Sequence, residues 1–182
     1  RLAGGRRLST ANVLKKHGLA RLPFFSVNHP DFVAFLREEK IELVVSAAGM
    51  EIVREPALSA PPKGWLNYHS ALLPRHRGRQ PLFWALLAGE PEVGVTVHLM
   101  DAGLDSGPIL AQARVPVAPG DSLDDLYRKT IAVGPPLLAR LTRELAAGDP
   151  PRLPNDPALA TRQGFPGRED GRRFRAAGKR FF

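Results

Sequence analysis

Gly64-Trp65-Leu66-Asn67-Tyr68-His69 is a run of strand-forming residues, and Ser70-Ala71-Leu72-Leu73-Pro74-Arg75-His76-Arg77-Gly78 follows it directly. The first six read as a β-strand. Asn67 and His69 are two apart, so both side chains leave the same face. A polar pair at the carboxyl end of a strand is where open α/β sheets bind ligands. A hydrogen-bonded pair with a purely structural role is the plainer alternative. Pro74–Gly78 then reads as a loop, and Pro81–Leu87 as an apolar helix through Leu82, Phe83 and Leu86, closed by Gly89.

Upstream, Ile41–Val45 is β-branched and nearly all apolar, the pattern of a strand buried on both faces of a parallel sheet. Phe32, Phe35 and Leu36 give the preceding segment helical spacing, with Asn28 as its cap and Pro30 and Asp31 in its first turn. Asn28-His29-Pro30 therefore echoes Asn-x-His only superficially. Leu22–Val27 suits a buried strand, Ala11–His17 a short helix stopped by Gly18, and Arg1–Ser9 a flexible basic loop. Downstream, Val93, Val95, Val97 and Leu99 alternate with Gly94, Thr96, His98 and Met100, and Ile109–Val117 alternates as well. The glycine-rich Asp101–Pro108 joins them into a long hairpin. His98, on the face of Thr96, either borders a site or is structural. Asp121–Leu145 is helical, with Ser122 and Asp125 as a capping box. Gly134-Pro135-Pro136 predicts a break or sharp kink in it, because proline lacks the N–H and clashes with the preceding turn. Strand, helix and strand at these spacings make the fold class α/β.

The chain has 182 residues and no cysteine, which excludes disulfide scaffolds, thiolate zinc sites and cysteine nucleophiles. No apolar run approaches the roughly 18 residues a membrane span needs, and no signal peptide opens the sequence, so the cytoplasm is the expected compartment. The net charge of +8 invites a phosphate-bearing partner. However, residues 162–182 hold seven Lys or Arg against Glu169 and Asp170, a surplus of five, so most of the charge sits in the tail. That Pro/Gly/Arg-rich tail reads as a solvated, partly ordered extension, with RNA contact as the rival reading. The expected division is 1–148 for the body and 149–182 for the basic extension. Trp65 and Trp84 are expected in the core, and His76 in solvent.

Asn67-Tyr68-His69-Ser70-Ala71-Leu72-Leu73-Pro74-Arg75-His76-Arg77-Gly78, followed by Gly94-Val95-Thr96 and then Asp101-Ala102-Gly103-Leu104-Asp105-Ser106-Gly107, resembles the folate-dependent formyltransferases. Their signature is N-x-H-x-S-L-L-P-x-x-R-G, then G-x-T, then D-x-G-x-D-x-G. Position 71 departs from it, carrying Ala where Ser is usual. The resemblance spans about residues 8–147 and implies a Rossmann-like, mostly parallel sheet with flanking helices and a long C-terminal β-hairpin. It also implies that the fold is N-terminally incomplete, lacking the family's first strand–turn–helix unit, and that the tRNA-binding C-terminal domain of methionyl-tRNA formyltransferases is absent.

By the same resemblance the catalytic trio is Asn67, His69 and Asp105. Asn67 would donate to an oxyanion, His69 would supply charge or shuttle a proton, and Asp105 would orient the imidazole and favour its charged form. Alone, Asp105 would read as a turn residue. Neither a metal nor a covalent intermediate is implied. The formyl donor would be 10-formyltetrahydrofolate, held largely by backbone at Gly49, Met50, Glu51, Ile52 and Val53 and at Asp101, Ala102, Gly103 and Leu104. Arg77 would organise its loop or approach an anionic substrate. The expected acceptor is a primary amine on a small molecule or a nucleotide-linked sugar, with methionyl-tRNA possible but less favoured and no membrane partner. The alternative is a folate-binding but inactive domain that needs a further segment.

Overall fold

The computed structural model describes residues 9–182, so the Arg1–Ser9 reading falls outside it apart from Ser9, which caps the first helix. The elements run α1 (Thr10–Lys16), α2 (Pro30–Glu38), β1 (Val44–Ala47), β2 (Trp65–His69), β3 (Arg77–Gly78), α3 (Pro81–Leu87), β4 (Glu92–Leu99), β5 (Ile109–Pro116), α4 (Leu123–Ala147), a short 3-10 turn (Pro157–Leu159), β6 (Arg162–Gln163) and α5 (Arg168–Ala176). Four strands form one sheet in the order β1-β2-β4-β5. β1 runs parallel to β2, whereas β2 with β4 and β4 with β5 are antiparallel. The sheet is therefore mixed rather than mostly parallel. The alternating pattern of β4 accounts for this: a half-polar strand belongs to an antiparallel ladder, and it carries the hairpin onto β2. β1, expected to be buried on both faces, leaves Val45 42% exposed.

β4 uses its two faces differently. Val97 and Leu99 pack with Leu66, Leu110, Leu141 and Leu145, burying one side against α4. On the other side lie Gly94, Thr96 and His98, and the chain after β2 folds down over them. The Thr96 hydroxyl donates to the Ala71 carbonyl at 2.6 Å and accepts from the Leu73 N–H at 3.1 Å. Gly94 lets this happen, since a Cβ there would lie 2.5 Å from Leu72 Cδ2 and 2.3 Å from the Ala113 carbonyl oxygen. The motif loop is thus pressed flat on the sheet beside the ends of β2 and β4.

Three readings change. Leu22–Val27 forms no strand: Phe24 packs on Phe32 and Phe35, while Ser26 and the Val27 N–H bond to Glu51. The α2 cap is His29, whose Nδ1 accepts from the Asp31 N–H. Asn28 instead braces residues 51–54, donating to Glu51 and the Ile52 carbonyl and accepting from the Arg54 N–H. Finally, α4 runs unbroken through Gly134-Pro135-Pro136. The carbonyls these prolines free belong to Ile131 and Ala132, both exposed residues of the helix. Gly134 faces inward against Tyr68, with no room for a Cβ. The capping box of Ser122 and Asp125 forms as expected.

Residues 149–182 run along the body, most of them exposed to solvent but tied down at particular residues. Phe174 of α5 is 0% exposed and stacks on Phe83 at 4.6 Å between ring centroids, within the cluster built by Leu82, Leu86, Val93, Val115 and Leu126. Burying one such ring contributes roughly 1.5–3 kcal/mol. The tail lacks periodicity because single residues anchor it, not a face. Among the described residues no helix is long and apolar enough to cross a membrane.

Candidate active site

Strand geometry places Asn67 and His69 on one face at the end of β2, and the ladder sets His98 of β4 opposite Asn67. Asp105 arrives from the connection between β4 and β5, in the left-handed region at φ 48°. The structure brings all four together. Asn67 Nδ2 lies 3.1 Å from Asp105 Oδ1 and 3.1 Å from His98 Nε2. His69 Nδ1 is 3.7 Å from Asp105 Oδ2, and His98 Nε2 is 3.7 Å from Asp105 Oδ1. Gly78 of the motif completes the cluster, its N–H donating to Asp105 Oδ2 at 2.8 Å.

The hydrogen bonds assign the protons. His98 Nδ1 lies 2.8 Å from the Leu99 carbonyl and donates to it, which leaves Nε2 to accept from Asn67. His69 Nε2 donates to the His76 carbonyl at 2.9 Å, so its Nδ1 lone pair faces Asp105. Burial lowers the pKa of His69 despite the nearby Asp105 carboxylate, and the neutral ring is the resting form. For Asp105, burial pushes the pKa up. Hydrogen-bonding neighbours, the Gly78 N–H among them, outweigh it, so the net shift is downward and the carboxylate stays ionised. Asp105 does favour the charged imidazole, but the loss of solvent around the buried ring outweighs it, which leaves a neutral base beside an anion. Desolvation of a ring buried in the sheet decides it.

These groups line a cavity of about 260 Å³. Gly49, Met50, Glu51, Ile52 and Val53 line it, as do Asp101, Gly103 and Leu104; Ala102 does not. The Glu51 carboxylate turns to Ser26, Asn28 and the Val27 N–H, which hold its pKa below the usual range. Ala48, Gln80 and Asp105 line the cavity with positive φ, and His76, which offers its carbonyl to His69, shares that conformation. Strain gathered at one place marks a functional surface. His76 is buried rather than solvated. Trp65 is in the core, and Trp84 bonds through its indole N–H to the Gly164 carbonyl.

Sequence reasoning missed several residues here. Tyr68, Gln80, Tyr127, Arg79 and Phe165 line the cavity, the last from the tail. Asn155, also in the tail, donates to the carbonyls of Asp105 and Gly107 and is gripped by Arg77 Nη2 at 2.7 Å. Arg77 therefore organises its loop. Gly78 had a signal, its place in the motif: at φ 100° a Cβ would lie 2.2 Å from the Gln163 carbonyl oxygen. Asn155 and Phe165 had none, being isolated residues in a Pro/Gly-rich segment.

A family model described as formyl transferase matches residues 10–142, and the chain belongs to that family. Among its relatives, the methionyl-tRNA formyltransferase of Chloroflexus aggregans (strain MD-66 / DSM 9485) is 40% identical over 156 residues, covering 86% of this chain and 50% of the relative. The chain spans about half the length of the curated relatives it matches. The phosphoribosylglycinamide formyltransferase from Bacillus halodurans superposes with a TM-score of 0.68 at 30% identity, covering 76% of this chain and 77% of that one. The formyltransferase PseJ from Anoxybacillus kamchatkensis, solved with UDP-4,6-dideoxy-4-formamido-L-AltNAc and tetrahydrofolate, shares the fold at a TM-score of 0.66 and 21% identity, covering 89% of this chain and 83% of that one.

Proposed function

We propose that the chain transfers a formyl group from 10-formyltetrahydrofolate to a primary amine, with Asn67, His69 and Asp105 at the reacting centre. One observation carries this reading: in a single cavity, an amide and a neutral imidazole from one strand both come within 3.7 Å of a carboxylate from a distant segment. The lining suits such a donor, bringing together residues 48–53, Asp101 and 103–105, with Met50, Ile52 and Val53 as apolar members. When bound, the donor supplies the formyl carbon, onto which the acceptor nitrogen bonds as the folate nitrogen leaves, the amine giving up one proton and the folate nitrogen gaining one.

The chain's own groups divide this work. His69 takes the amine proton at Nδ1, because its Nε2–H is committed to the His76 carbonyl. Asp105 then faces an imidazolium and stabilises it. Asn67 gives an amide N–H to the oxygen that gains charge, a contribution of about 3–4 kcal/mol in known sites. Both Asn67 hydrogens are engaged at rest, so it must first release His98 or Asp105. The acceptor is a small or nucleotide-linked amine, and the setting is cytoplasmic. The test is tetrahydrofolate formation with three amines offered in turn: a nucleotide-linked amino sugar, phosphoribosylglycinamide and methionyl-tRNA. At least one should turn over, and Asn67→Ala and His69→Ala should each lose about a hundredfold or more. Equal rates in all three proteins sink the assigned roles.

A second reading, folate binding without transfer until a further segment is supplied, rests on β1. Among the described residues it pairs on one side only, leaving a strand edge open beside the cavity. Tight folate binding with no turnover of any amine would favour it.

A further inference from the structure

Arg79 is the one lysine or arginine among the described residues that lines the cavity. Its backbone is fixed by the β3–β6 pairing, the Arg79 N–H donating to the Gln163 carbonyl at 3.0 Å. Its guanidinium donates to the Met50 carbonyl at 2.5 Å and to Met50 Sδ at 2.8 Å, and lies over the Phe165 ring at 5.3 Å. Among the described residues no carboxylate pairs with it. Three carboxylates line the same cavity, yet each is turned elsewhere. Glu51 holds Ser26 and Asn28, Asp101 holds Ser106 and the Gly103 N–H, and Asp105 holds Asn67 and the Gly78 N–H.

A guanidinium offers five N–H donors in a planar fork that matches carboxylate and phosphate oxygens. The Met50 contacts leave part of that fork free. Stacking on Phe165 and anchoring on Met50 limit the side chain's rotamers, so little ordering remains to oppose binding. A half-buried cation at a substrate cavity, with no counter-ion from the protein, is completed by an anionic ligand.

We propose that Arg79, braced by Phe165 and Met50, receives an oxyanion of a substrate: a phosphate of a nucleotide-linked acceptor, or the carboxylate of the folate glutamate. This rests on the cavity being the formyl-transfer site. The rival is a purely structural role, Arg79 tying residues 48–53 to the motif loop.

The experiment measures calorimetric affinities of two probe pairs for the wild type, Arg79→Met, Arg79→Lys and Phe165→Ala. One pair is UDP and uridine; the other is folinic acid and its analogue with the glutamate replaced by a methylamide. Arg79→Met should weaken the charged member of one pair by about tenfold or more while leaving its uncharged partner unchanged. Arg79→Lys should recover part of the loss, and Phe165→Ala should show a smaller loss of the same kind. The affected pair identifies the source of the oxyanion. Equal weakening of charged and uncharged members overturns the proposal in favour of the structural role. A wild type that prefers neither charged probe overturns it outright. Folinic acid that fails to bind the wild type removes the folate reading, while the UDP pair still decides Arg79.

Discussion

Replacing Asp105 with Asn changes one oxygen for an NH2 group and sets a conflict running through three residues. The Gly78 N–H needs an acceptor at the Oδ2 position, 2.8 Å away, so the new NH2 must take the Oδ1 position. There it meets Asn67 Nδ2 at 3.1 Å, donor against donor. Turning the Asn67 amide over relieves that clash but sets its oxygen against His98 Nε2, whose lone pair is fixed because Nδ1–H is spent on the Leu99 carbonyl. One mismatched buried pair therefore survives every arrangement, at about 1–3 kcal/mol. The loss of charge acts separately. Asp105 opposes the effect of burial on His69, so its removal lowers the His69 pKa further. In a formyl-transfer assay across pH, Asp105→Asn should lower the plateau of kcat/KM by about a hundredfold or more, with the acid limb moved to lower pH. Denaturation should show a second change. A carboxylate whose folded pKa is depressed contributes stability above its unfolded value of 3.8 that is lost as pH falls through the folded one, and the variant lacks that component. A wild-type plateau, or an acid limb displaced upward, would refute the reasoning.

Gly78→Ala puts a Cβ 2.2 Å from the Gln163 carbonyl at a φ of 100°, so chemical denaturation should show it to be among the most damaging single-methyl changes, with activity lost alongside stability. Phe174→Ala should cost about 3–5 kcal/mol in the same assay, whereas Arg172→Ala on the exposed face of α5 should stay within about 0.5 kcal/mol; similar small effects for both would restore the picture of a solvated tail. Gly134→Ala gains up to about 1 kcal/mol in helix propensity but drives a Cβ to 2.2 Å from the Tyr68 ring, and overpacking at about 1–3 kcal/mol should win, lowering the melting temperature. His69 is buried with a lowered pKa, so stability should fall as pH drops below the unfolded value of 6.5, and His69→Asn should flatten that dependence.

How much of this was legible in the sequence follows from the range of the interactions. The pairing of Asn67 with His69 on one face needs only the two-residue period of a strand, and α3 needs only Pro81, its apolar face and Gly89. Asp105 is different: nothing local says that a residue 38 positions beyond Asn67 will touch it, and the motif resemblance alone selected it. His98 was readable as far as its face, though its bond to Asn67 depends on strand register. The unbroken α4 shows local chemistry overruled by tertiary packing, for Leu137, Leu141 and Leu145 hold the helix past two prolines whose freed carbonyls belong to exposed residues. Asn155, Phe165 and Phe174 were illegible for one shared reason, since each reaches the body as an isolated residue, across more than 45 positions of sequence.

Those three residues change what the tail is for. β6 gives β3 its only strand partner among the described residues, and β3 supplies the Gly78 N–H that holds Asp105. Asn155 fixes the same loop from the other side through the carbonyls of Asp105 and Gly107. Thr161 Oγ accepts from the N–H of His76, the residue whose carbonyl orients His69. The carboxylate and the imidazole of the proposed trio are thus both positioned through residues beyond 150, and Phe174 anchors that segment in the core at a point where its loss would be felt by the whole wall. Positive charge made the tail look like an extension for a polyanion. Its neutral and apolar residues, spaced without period, are what tie it to the chemistry.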